Sequence, residues 1–163
     1  MSTHSTTIIS RPFTARAILV GGLLAGSLDA ASAFMTFGWK MPYGIASGLL
    51  DAKANPALGA GQWVWVLGLA LHYFIALSAA GIYVVASRRL SFLKENFVVC
   101  GIFFGTAVYL VMNTVVLPWS AVPFPVGPFT VKAIRLGIFY HVLLIGLPIS
   151  ISTWFFSRKE RES

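Results

Sequence analysis

Asp29, His72, Tyr109, Asn113 and His141 place side chains capable of polar chemistry inside otherwise apolar stretches. Histidine changes charge near neutrality, and a carboxyl taken out of water is stable either neutral or beside a cation. An aspartate and two histidines brought together can therefore hold and hand on a proton, titrating as a unit. Two neutral imidazoles on facing helices are also the usual axial ligands of a b-type haem. With Asp29 added, His72 and His141 suit a divalent transition metal. In the haem alternative, Gly68, Gly105 and Gly137 admit the porphyrin edge, and Lys132 and Arg135 meet its propionates. No Cys-x-x-Cys-His attachment motif accompanies them.

Other chemistries find less support. There is no Gly-x-Ser-x-Gly, His-Glu-x-x-His or phosphate-binding loop. Ser150 and Ser152 lie several residues beyond His141 and form no recognisable nucleophile arrangement, so an enzyme is the least supported class. The formal charge of +7 does not point to nucleic acid, because the basic residues sit at the ends of apolar runs, where they set topology. The single cysteine, Cys100, cannot form an intramolecular disulfide.

The elements that must position these groups are transmembrane helices. Apolar residues make up 57% of the 163-residue chain and charged residues only 10%; a soluble domain carries about 25% charged residues. That excludes a cytosolic globular enzyme, a disordered chain and a disulfide scaffold. Four apolar runs span roughly 18–37, 63–86, 97–117 and 131–156. Each is long enough to cross a hydrocarbon core of about 30 Å as a helix. They are continuous rather than alternating, unlike barrel strands. The expected fold is an all-α, up-down four-helix bundle, one domain over 1–163 with tails at 1–16 and 157–163. The first run is read as an uncleaved helix rather than a signal peptide, since it is long and contains Asp29.

With the N-terminus inside, eight Lys and Arg fall on the cytoplasmic side and four outside, which favours cytoplasmic termini. Trp39, Trp63, Trp65 and Trp119 mark the outer interface and Trp154 the inner one. Residues 87–96 form a tight basic hairpin turn. The third loop, with Pro118, Pro123, Pro125 and Pro128, should be extended and stiff. The long first loop is expected to hold a short interfacial helix over 44–54, with Ile45, Leu49 and Leu50 facing lipid or protein.

Depth unites the polar residues. Asp29, His72, Tyr109 and His141 lie eight, nine, eight and ten residues from the outer ends of their runs. At 1.5 Å per residue that is a common level roughly 12–15 Å down. Asn113 is one turn nearer the outside. Asp29 is the one acidic residue of five inside a run, where a charge costs at least about 2.5–3.5 kcal/mol. Arg135 either snorkels outward or supplies a counter-charge to Asp29 or an anion. Small residues at spacings of four or eight (Gly22, Gly26 and Ala30; Gly68, Ala76 and Ala80; Gly101 and Gly105) form grooves for close helix packing, or for a flat cofactor or a second protomer. Pro148 predicts a kink near Leu144.

The layout resembles small four-span bacterial inner-membrane proteins of the YagU type. The residues that carry the resemblance are Gly22-x-x-x-Gly26-x-x-Asp29, Ile45-Ala-Ser-Gly48, His72, Met112-Asn113…Pro118…Ala121-Val-Pro123, and His141. It implies a bacterial inner-membrane location and brings no established substrate. Three functions therefore stand open: a proton- or ion-responsive site for transport or sensing, a haem- or metal-binding membrane protein, and an accessory subunit whose polar layer sets helix register.

Overall fold

Helix formation follows the apolar runs closely. The structure, a computed structural model, describes residues 11–123, 125, 127 and 129–161. The expectations placed on Pro128, on residues 1–10 and on residues 162 and 163 lie outside the described residues. In chain order come α1 (Arg11–Phe37), α2 (Met41–Leu50), α3 (Gln62–Arg89), α4 (Phe92–Glu95), α5 (Phe97–Val111), α6 (Leu117–Trp119), α7 (Val131–His141) and α8 (Leu147–Arg161). There is no strand among the described residues. Four helical stretches are long and apolar enough to cross a membrane, giving the all-α four-helix bundle that the composition demanded. Helix extends into both tails, because α1 begins at Arg11 and α8 ends at Arg161.

Two prolines reshape their helices. Proline lacks an N–H, and its ring collides with the carbonyl four residues back. Before each, the helix widens into a π turn, over Met112–Val116 and Val142–Gly146. There Leu117 N–H donates to Met112 O, and Leu147 N–H to Val142 O, five residues back in each case. The disruption expected near Leu144 thus takes the form of a π segment. Pro118, assigned from sequence to the third loop, instead closes the third span within α6.

Burial alone does not drive helices together in lipid, so close contact must. α1 packs along α3 on one side and α8 on the other, while α5 packs on α7, α8 and the π turn between them. The second and fourth spans are therefore diagonal. Glycines set the approach. A Cβ at Gly22 would stand 3.0 Å from Leu77 Cα, and one at Gly26 3.1 Å from Ala76 Cβ. Gly101 faces Ser150, and Gly105 faces Val142. The small-residue grooves are thus filled from within the chain at Gly22, Gly26, Gly101 and Gly105. Gly68, Gly105 and Gly137 do not await a porphyrin edge, being filled by Pro42, Val142 and Tyr109.

At the α4 end, Ala25, Ala80, Tyr83, Ile145 and Ile149 form the core, and Tyr83 Oη donates to Leu93 O at 2.9 Å. Ser150 Oγ bonds Leu147 O and Ser152 Oγ reaches Ala17 O, so both serines serve packing. Trp154 stacks on Phe97 with ring centroids 4.8 Å apart.

At the opposite end the chain after α1 folds back as α2. This helix starts earlier than expected, at Met41, and stops at Leu50; a 3-10 turn, Asp51–Ala54, follows. Trp39 and Trp65 stack at 4.7 Å, and Trp65 Nε1 donates to Trp39 O at 3.0 Å. Trp65→Phe keeps the stack and loses the hydrogen bond. We expect a loss of about 1 kcal/mol in detergent unfolding, the net worth of one such bond.

Candidate functional site

A cavity of about 730 Å³ occupies the half of the bundle nearest α2. Asp29 from α1, His72 from α3 and His141 from α7 all line it. The rest of the wall is apolar, including Leu71, Ile75, Val108 and Met112. Met41, Gly44, Ile45 and Gly48 of α2 roof it, and Lys40 stands where α1 gives way to α2. Ala121 N–H donates to Gly48 O at 2.9 Å, tying the third loop to this roof.

Each histidine is oriented by a backbone carbonyl. His72 Nε2 lies 2.9 Å from Gly26 O, joining α3 to α1 where the missing glycine side chain permits the approach. His141 Nδ1 lies 2.9 Å from Gly137 O, one turn back on its own helix. A carbonyl only accepts, so the bonded nitrogen carries the proton in both rings. In the neutral imidazoles His72 Nδ1 and His141 Nε2 remain as acceptors, and neither has a hydrogen-bond partner among the described residues.

Asp29 is half-buried. Among the described residues its carboxyl makes no hydrogen bond or ion pair, so the expected Asp–His pair is not formed. The reason is visible in the rings, whose N–H groups are donated to backbone. Arg135 and Lys132 are exposed and do not line the cavity, so neither is the counter-charge or propionate partner considered from the sequence. Lys40, which the sequence did not single out, is the Lys or Arg on the cavity wall among the described residues.

Tyr109 and Asn113 stand apart from the lining. Tyr109 is buried in the space left by Gly137, with its ring edge-on to His141 at 5.3 Å. It supports the histidine from behind. Asn113 Nδ2 donates to Tyr109 O at 2.9 Å, a bond within its own helix, so the asparagine is no part of the site.

The ligand readings can be tested against this geometry. No group of three His, Cys, Asp or Glu among the described residues is placed to hold a metal ion, which removes the Asp29–His72–His141 metal centre. For haem, His141 offers the appropriate Nε2, held by the Nδ1–H to carbonyl bond typical of ligating histidines. His72 does not, since its Nε2 is bonded to Gly26 O. With the porphyrin-edge glycines also filled, the residues do not fit a bis-histidine haem.

Fold and cavity define a class: a four-helix bundle of membrane-crossing dimensions with an ionisable group on three of its walls. No family model, curated protein or solved structure matches the chain.

Proposed function

We propose that the chain is a small multi-pass protein of the bacterial cytoplasmic membrane, with both termini cytoplasmic. Its cavity is a proton- or ion-responsive site for transport or sensing, built from Asp29, His72 and His141. One observation carries this reading: three ionisable side chains from three separate helices line a single, mostly apolar cavity. Ionisable residues in membrane spans face interiors of this kind where they handle protons or ions. An accessory subunit needing polar groups only for register would be expected to pair them with one another, whereas Asp29 has no partner among the described residues. The placement in a bacterial inner membrane follows the YagU-type resemblance, and the orientation follows the eight-to-four distribution of Lys and Arg.

The test uses the full chain in proteoliposomes, with tryptophan fluorescence and a trapped pH-sensitive dye followed across a pH series. The wild type responds to imposed pH gradients, and Asp29→Asn reduces that response by at least about tenfold while remaining folded. An Asp29→Asn protein with an unchanged response would sink the proposal. A reducible Soret band lost in His72→Ala and His141→Ala would put the haem reading in its place.

A further inference from the structure

The hydrogen-bonding polarity of the cavity wall constrains what enters it. Its interior polar groups without partners among the described residues are the Asp29 carboxyl, His72 Nδ1 and His141 Nε2, and with Asp29 ionised and the imidazoles neutral all three are acceptors. The Ser120 hydroxyl on the same wall gives its proton to Leu117 O at 2.8 Å. The charged and titratable groups lining the cavity are Asp29, Lys40, His72 and His141; of these only Lys40 is a fixed donor, and it is exposed. Tyr73 is turned away, its hydroxyl 3.1 Å from Ser27 Oγ on the exposed side. With Asp29 ionised and the imidazoles neutral, a ketone or quinone would find no donor inside among the described residues, and an anion would face Asp29.

We infer that the cavity binds a protonated lipophilic amine. The ammonium meets the Asp29 carboxylate, the imidazoles line the same cavity as further acceptors, and the apolar body lies against Leu71, Ile75, Val108 and Met112. The positive charge compensates a carboxylate that has no partner among the described residues. The volume of about 730 Å³ falls within the roughly 300–1,000 Å³ of drug-sized ligand sites. α3 and α5 do not pack closely on each other along this half, so the cavity occupies the interval between them. This inference rests on the proposed role of the Asp29 site and names the substrate class it takes.

The test is calorimetric titration of the detergent-solubilised full chain with dibenzylamine, with dibenzyl ether as the neutral isostere and diphenylacetate as the anion. The amine binds saturably; the ether and the acid bind at least about thirtyfold more weakly, the lower end of what removing one partner of a buried charge pair costs. Asp29→Asn loses a similar factor for the amine, and Asp29→Glu, which keeps the charge, restores binding. The ligand series on the wild type decides the matter even if a variant does not fold. Equal binding of amine and ether, or undiminished amine binding by folded Asp29→Asn, overturns the inference. So does a protein that shows the Asp29-dependent pH response and takes up no amine, an outcome that leaves the proton- or ion-site reading standing. Asp29-dependent amine binding without any Asp29-dependent pH response would support the inference and remove the broader reading instead.

Discussion

Gly146→Ala is expected to separate the last span from α5, at a cost of about 3 kcal/mol or more, the upper range for overpacking. The added Cβ would fall on Gly101 O and lie 2.7 Å from Gly105 N and 2.8 Å from Gly105 Cα. These are backbone atoms, so no rotamer change makes room and the helices themselves must part. Parting them also displaces His141, which lies just before the π turn at Val142–Gly146. The matched control is Gly81→Ala. A Cβ there meets nothing within 4 Å, and the gain in helix propensity makes it neutral or stabilising by up to about 1 kcal/mol. Unfolding in a denaturing-detergent titration, followed by circular dichroism, compares the two. Similar midpoints for both variants would show that α5 and the last span do not meet through Gly146.

The second large effect falls on the roof of the cavity. Gly68→Ala drives a Cβ into the Pro42 carbonyl, with Pro42 Cα only 3.0 Å away. Pro42 lies in the first turn of α2, so α2 must lift from α3. The contacts of α3 with Gly22 and Gly26 are on other residues, at Tyr73, Ala76, Leu77 and Ala80, so the bundle itself should survive. Backbone amides of Met41–Leu50 should exchange with deuterium at least about tenfold faster, while those of α3 keep their protection. The Asp29-dependent pH response should fall with the loss of the roof. Unchanged exchange over α2 would mean that this helix is not held by the Gly68 contact.

The span ends illustrate what is legible locally. Those expected at Phe37, Trp63, Leu117 and Val131 are found at Phe37, Gln62, Trp119 and Val131. Hydropathy is a sum of single-residue transfer costs, so it reads correctly without any partner. Depth along a helix is equally local, and it brought Asp29, His72 and His141 to one level. The same reasoning included Asn113, which bonds its own helix, and Arg135, which faces outward. Height along the axis does not settle which way a side chain points.

Pro118 shows another limit. Read as a loop breaker, it lies inside a helix because a π turn absorbs the missing hydrogen bond. The 41–50 helix had a readable apolar character, yet nothing in its sequence said that Pro42 would seat on Gly68 and turn the segment into a roof. Lys40 was missed for the same reason, since its place at the cavity follows from that fold-back.

The sequence alone determined that the chain is a bundle of four membrane-length helices with few ionisable groups among them, because solvation energy and helical rise act residue by residue. Only the tertiary structure decided that Asp29 has no partner among the described residues, that both histidines turn their acceptor nitrogens out of their carbonyl bonds, and that an apolar cavity lies between them. Those outcomes depend on steric contacts between residues far apart in the chain, Gly26 with His72 and Gly68 with Pro42, where the absence of one side chain sets how near two backbones can come.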